Sequence, residues 1–275
     1  MTRRRPTRSA DDLLTALGRL TAQALERAEL QKARVELAVA LQRELLPSAL
    51  PEVPGLRSAA RYAPARHGLD IGGDWYDGFW LPDGAIGFSI GDVQGHDVEA
   101  AAFMGQIRIG LRAVAAAVDD PGEVLSRAND LLLSMDRGLF ATCSFLRFDP
   151  ATGELADARA GHVPAVWATA DGDGGIVQNA GGVPLGILPG EAYPVTRRRM
   201  SETEVLVLLT DGVVEGPSFS IETGLEQVTR LVKAGVGTDP AELASQVIKV
   251  ADLTGHTDDA AVLVLSHTGA TDGTG

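Results

Sequence analysis

Four aspartate-bearing segments of this 275-residue chain share one design. The apolar run Ala85–Ile90 leads into Gly91-Asp92-Val93-Gln94-Gly95-His96, and Val205–Leu209 leads into Thr210-Asp211-Gly212. Thr257-Asp258-Asp259 immediately precedes the apolar run Ala261–Ser266, and Gly72-Gly73-Asp74-Trp75-Tyr76-Asp77 precedes an aromatic one. Any one of these alone is ordinary turn chemistry, an aspartate in a tight turn beside a strand. Four together, three of them tied to apolar strands, point further. Carboxylates at strand ends can converge at one rim of a sheet, and flanking glycines let backbone carbonyls approach a ligand closely. Carboxylates plus a main-chain carbonyl suit hard cations such as Mg²⁺ or Mn²⁺, whereas zinc prefers nitrogen or sulfur. Clustered carboxylates without cations repel one another. Two divalent ions about 3.5–4 Å apart would relieve that repulsion and clamp a bridging hydroxide for in-line attack on phosphorus.

The elements that must position these acids are legible as periodic segments. Ser58–Ala63, Ala85–Ile90, Ala141–Phe148, Leu155–Ala160, Val163–Ala168, Glu204–Leu209 and Ala261–Ser266 have strand length and period. Asp149–Glu154 reads as a hairpin turn between two of them. Val98–Val118, Pro121–Asp136, Ile221–Ala234 and Pro240–Leu253 read as helices, with Arg108 and Arg112 one turn apart. Hairpin strands with helices grouped in pairs predict a layered α+β fold, not a βαβ alternation. Before them, residues 9–46 read as one long helix, capped by Ser9 and stopped by Pro47. Leu13, Leu17, Leu20 and Ala24, then Val35, Ala38, Leu41 and Leu45, give it an apolar seam. A helix of this length needs a partner face, supplied by a two-stranded coiled coil in a homodimer or by docking on the main domain. The expected division is a linker or regulatory helix over residues 1–46, one main domain over 47–268, and a polar, disordered tail over 269–275.

Composition excludes several classes. The chain carries 24 basic against 37 acidic side chains, a net charge of −13. Nine basic and six acidic residues fall in residues 1–46, so the acidic excess lies entirely in the body. Such a surface argues against nucleic acid as a partner, because phosphate backbones need Lys and Arg. The run Arg197–Arg199 reads as a solvated strand edge. Lone Cys143 leaves no disulfide framework and no cysteine zinc site, and a reducing, cytoplasmic setting follows as the expectation. Neither a signal peptide nor a membrane span is apparent.

Five motifs occur in an order that resembles a known family: Gly72–Asp77, Gly91–His96, Ala160-Gly161-His162-Val163-Pro164, Leu209–Glu215 and Thr257–Asp259. Together they resemble the bacterial stage-II-sporulation-E/RsbU branch of the metal-dependent PPM (PP2C-type) serine/threonine phosphatases, from about Leu41 to about Ser266. The resemblance implies an α-β-β-α sandwich, two antiparallel sheets flanked by helix pairs, with two Mn²⁺ or Mg²⁺ ions at one end. Asp92 would bridge both metals. Asp74 and the Val93 carbonyl would complete the second metal's shell, and Asp211 and Asp258 the first's. A third metal on Asp259 stays open. Asp97 replaces the glycine usual after the motif histidine, and Ala261 stands where a hydroxyl residue is often found. The phosphate-gripping arginine of eukaryotic relatives has no clear counterpart, Arg66 being too weakly placed. His96 has the pKa class of a general acid, but it follows Asp92 by four residues where the eukaryotic catalytic histidine follows by two, so a structural role is expected. His162 is expected to fix a turn, while His67 and His256 read as solvated loop residues.

The implied activity is hydrolysis of phosphoserine or phosphothreonine, with a phosphorylated anti-sigma-factor antagonist of the STAS type as the usual substrate. A catalytically silent binding module is the alternative from another class, and hydrolysis of small phosphoesters a third reading. A silent module would be expected to lose one of Asp74, Asp92, Asp211 or Asp258, and all four are present.

Overall fold

The computed structural model describes residues 10–64, 72–95, 98–135, 137–217, 219–255 and 258–268. The fold is the α+β sandwich expected. One antiparallel sheet runs in the order β1 (Leu56–Ala63), β10 (Ala260–His267), β9 (Val205–Leu209), β6 (Val166–Ala168), β7 (Gly174–Ile176). The other runs β2 (Trp75–Trp80), β3 (Ile86–Val93), β4 (Ala141–Asp149), β5 (Glu154–Ala160), β8 (Val195–Arg199). Helices α2 (Val98–Ala115) and α3 (Pro121–Ser134) cover the second sheet, while α5 (Ile221–Ala234) and α6 (Pro240–Val247) cover the first.

The central strands are buried on both faces, which is why they appear in sequence as continuous apolar runs. Period 2 divides each run between two cores. Leu206 and Leu208 of β9, with Ala261, Leu263 and Leu265 of β10, face Ile86, Phe88 and Ile90 of β3 across the space between the sheets. Their alternates Val205, Val207, Leu209, Val262 and Val264 pack under α5 and α6. Cys143 and Phe145 of β4 meet Phe103, Met104, Ile107 and Leu111 of α2 on the far side.

The long helix α1 spans Ala10–Leu45 and ends two residues before Pro47. Its Leu14, Leu17, Leu20, Leu25 and Leu30 are 56–67% exposed, while Leu45 at its end and the following Leu46 pack on the α2 core. Four details differ from the sequence expectation. The short strands β7 and β8 carry glycine and arginine in place of an apolar period. The predicted helix Pro240–Leu253 is two, α6 and α7 (Val250–Thr254), separated at Ile248-Lys249 where tighter i to i−3 bonds replace the helical ladder. Asp211 opens a four-residue helix, α4 (Asp211–Val214), where a plain turn was expected. Arg197 and Arg198 pair with Asp120, Glu154 and the nearly buried Glu204, so the arginine run is partly a packing element. The predicted cap Ser9, the tail 269–275, Arg66, His67, His96, Asp97, His256 and Thr257 lie outside the described residues.

Candidate active site

Antiparallel pairing brings the acids together. Asp74 precedes β2, and Asp92 and Val93 end β3; because Trp75 pairs with Gly91, these two segments share one end of their sheet. Asp211 follows β9, and Asp258-Asp259 precedes β10; because Leu209 pairs with Val262, they share one end of the other sheet. The two ends lie against each other. A Cβ built on Gly72 would fall 1.9 Å from Asp259 Oδ2 and 2.2 Å from the Tyr62 hydroxyl. The Thr210 hydroxyl, from one sheet, donates to Asp74 Oδ2, from the other, at 2.7 Å.

Glycine is required where strands and acids crowd. A Cβ on Gly91 would meet the Trp75 ring at 2.2 Å and the Thr142 carbonyl at 2.3 Å. A Cβ on Gly73 would sit 2.5 Å from the Val93 carbonyl, 3.0 Å from that of Gly95 and 3.1 Å from Asp92 Oδ1. Side-chain absence at Gly73 therefore keeps two carbonyls and a carboxylate oxygen around one spot.

The electrostatics are those of like charges held together. Burial, then the charges of Asp92, Asp259 and Asp211, holds the Asp74 carboxyl well above the usual carboxylate range, with the Thr210 hydrogen bond opposing. Burial and the charges of Asp211 and Asp258 push Asp92 up to about 8, although Asp74 is within hydrogen-bonding reach of it and lowers it. Asp211 is raised by burial and by Asp258. The five acids Asp74, Asp92, Asp211, Asp258 and Asp259 thus form one electrostatic unit. Among the described residues, no three His, Cys, Asp or Glu side chains are already drawn into a cage of metal-ligand size. The all-oxygen donor set and the mutual repulsion of the carboxylates nonetheless fit divalent cations, whose charge would offset that repulsion. An open cavity of about 310 Å³ adjoins them, lined by Asp211, Gly212, Glu215, Gly216, Pro217 and Asp258.

Two sets of residues bear on this rim without having been given roles from sequence. Thr210 is one. The other is Asp77, fully buried three residues after Asp74, which accepts from Arg108 Nη1 at 3.1 Å and from Arg112 Nε and Nη2 at 2.6 and 2.5 Å. Two arginines one turn apart on an Ala-rich, amphipathic helix were the signal for it. His162 is buried at the end of β5, its Nδ1 2.8 Å from the Thr142 hydroxyl. Burial and neighbouring Arg159 push it down to about 3, so its imidazole stays neutral. Thr142 in turn pairs with Asp92 across the β3–β4 ladder.

The sequence profile of the family described as Stage II sporulation protein E (SpoIIE) matches residues 82–268, beginning just after the Asp74 segment. The chain is 24% identical over 239 residues to the phosphoserine phosphatase RsbU of Bacillus subtilis (strain 168), covering 85% of this chain and 70% of RsbU. It is 28% identical over 223 residues to protein IcfG of Synechocystis, covering 70% of this chain and 34% of IcfG. Among solved structures, the RsbU and RsbW domains of Rv1364c from Mycobacterium tuberculosis align with a TM-score of 0.74 at 30% identity, over 82% of this chain and 64% of that one. The chain thus spans about a third of IcfG and under two thirds of the M. tuberculosis chain. With the profile matching most of the sandwich and the motifs in their order, the chain belongs to the SpoIIE family, the bacterial branch of the PPM (PP2C-type) fold.

Proposed function

We propose that this chain is a metal-dependent phosphatase acting on phosphoserine or phosphothreonine in a protein. One observation carries the reading: Asp74, Asp92, Asp211 and Asp258 come from four separate segments to one rim, where burial and the neighbouring acids, Asp258 among them, raise the carboxyls of Asp74, Asp92 and Asp211. Asp74, Asp92, the Val93 carbonyl, Asp211 and Asp258 would hold two Mn²⁺ or Mg²⁺ ions. Such ions supply Lewis acidity and make water a nucleophile near neutral pH. The chain's own residues supply the rest. Asp92, at the end of β3, would offset the charge of both cations. Gly73 keeps the Val93 carbonyl accessible. The open acidic cavity beside Asp211 and Asp258 gives a phosphorylated side chain a path to the rim, while the acidic surface disfavours polyanions.

A phosphorylated STAS-type anti-sigma-factor antagonist is the substrate this reading favours, supported by the likeness to RsbU and to the RsbU–RsbW pair. This reading carries a cytoplasmic setting with it, where such a substrate would be met. The exposed leucines of α1 support a homodimer through that helix. Deleting residues 1–40 should change oligomeric state or activity, and no change in either defeats that part. The phosphatase reading is tested by p-nitrophenyl phosphate hydrolysis with and without Mn²⁺. Wild type should require Mn²⁺ and Asp211→Asn should lose the Mn²⁺-dependent rate; equal rates in the two proteins reject it.

A further inference from the structure

The residue between β9 and α4 uses its side chain in an unusual way. Thr210 occupies the N-cap position of α4, where a threonine hydroxyl ordinarily accepts from a backbone N–H of the first helical turn. Here it makes no such bond. The reason lies in the β9–β10 ladder. After the Leu209–Val262 pair, the next partners are Thr210 and Ala261, and the Thr210 N–H duly donates to the Ala261 carbonyl at 3.1 Å. An antiparallel pair exchanges two bonds, so Ala261 N–H would next donate to the Thr210 carbonyl. That carbonyl is turned instead toward Val213 N–H, which donates to it at 3.1 Å in the bond that starts α4. The Thr210 hydroxyl stands in for it and accepts from Ala261 N–H at 2.9 Å.

With that lone pair occupied, the hydroxyl proton is free to point to one side, and Asp74 Oδ2 lies there at 2.7 Å. Thr210 and Asp74 are 0% and 1% exposed, so water does not compete for either group. Asp74 sits at the lip of β2 in the opposite sheet, next to Gly73, whose Cβ position lies 3.1 Å from Asp92 Oδ1. We infer that Thr210 is a positioning residue: its hydroxyl, locked by the β10 backbone, fixes the rotation of the Asp74 carboxylate so that the oxygen not bound by Thr210 faces Asp92 and the cation site between them. The same bond ties the two sheets at the rim, so the placement of Asp74 depends on the register of β9 against β10. This inference rests on the divalent-cation reading of the rim.

Hydrogen-bond partners of metal ligands contribute about 10–100-fold to metal affinity when removed. Mn²⁺ binding, followed by loss of the free-ion EPR signal, is therefore expected to weaken by about 10–100-fold in Thr210→Val, which keeps the shape and removes the hydroxyl. Thr210→Ser, which keeps the hydroxyl, should restore affinity toward wild type. At saturating Mn²⁺ the turnover of Thr210→Val should approach that of wild type, because the residue acts through Asp74 and not on substrate. In an Asp74→Asn background the same Thr210→Val change should cost no further affinity. Wild-type affinity in folded Thr210→Val overturns the inference, as does equal weakening in Thr210→Ser. If Thr210→Val does not fold, Thr210→Cys, of similar size and a weak donor, serves instead with the same two overturning results. Absence of saturable Mn²⁺ binding by the wild type overturns the cation reading itself, a result distinct from a failure of Thr210 alone.

Discussion

Removing the Asp77 carboxylate should destabilise the domain far more than any surface charge would. Asp77 is fully buried and accepts four hydrogen bonds, one from Gly78 N–H at 2.9 Å and three from Arg108 and Arg112. The Arg108 side chain is 12% exposed and that of Arg112 36%, so Arg108 would be left charged and largely without water, whereas Arg112 can turn outward from its place 4.9 Å over the Phe79 ring. Breaking a buried pair from one side costs about 3–5 kcal/mol, which for a domain of this size is a fall of roughly 6–20 °C in melting temperature. The assay is urea unfolding of Asp77→Ala followed by tryptophan fluorescence, since Trp75 is buried on the same strand and donates to Ser89 Oγ at 3.2 Å. Replacing all three groups, Asp77→Leu with Arg108→Met and Arg112→Met, should recover most of the loss, because no charge is then stranded. The loss should also change little with salt, as buried pairs are weakly screened. A cost under about 1 kcal/mol, the range of surface ion pairs, would refute the reasoning.

The remaining predictions concern the rim and the core. In metal-free protein Asp92 holds its proton up to about 8 against an ordinary 3.8, so the native state binds a proton that the unfolded chain releases, and stability falls as pH rises between those values. Mn²⁺ should therefore raise the melting temperature more at about pH 8 than at about pH 5.5; an equal or reversed effect contradicts the electrostatic account. Gly73→Ala puts a methyl 2.5 Å from the Val93 carbonyl and 3.1 Å from Asp92 Oδ1, and should abolish Mn²⁺-dependent hydrolysis while the protein still folds cooperatively. Full activity in that variant would remove the Val93 carbonyl from the site. Cys143 is buried and its thiol is pushed up by burial, so native protein should not react with a disulfide reagent until it is unfolded. Rapid native labelling would show that the β4–α2 core opens.

The acidic rim was legible from sequence because three of its acidic segments adjoin apolar strands and the fourth an aromatic one, and strand ends are the part of a sheet that period and punctuation mark best. The long helix was legible for a similar reason, a run without proline ended by Pro47. What escaped was set by tertiary contact. Arg198 of β8 is held by Glu204 as well as by its ladder, and no local period announces a strand written Val-Thr-Arg-Arg-Arg. The tasks of Thr210 and Asp77 depend on groups 51 and 35 residues away in sequence, in Ala261 and Arg112. Their identities fit ordinary turn and strand positions equally well. Only the fold distinguishes a threonine that caps a helix from one that binds a strand backbone and a carboxylate together.

The most direct test of the central claim is a calorimetric titration of metal-free protein with Mn²⁺, comparing wild type with Asp92→Asn. The account predicts two ions per chain for wild type and loss of this stoichiometry in Asp92→Asn, since Asp92 is the carboxylate both ions would share. Two ions bound with unchanged affinity in Asp92→Asn, or no saturable binding in the wild type, would contradict it.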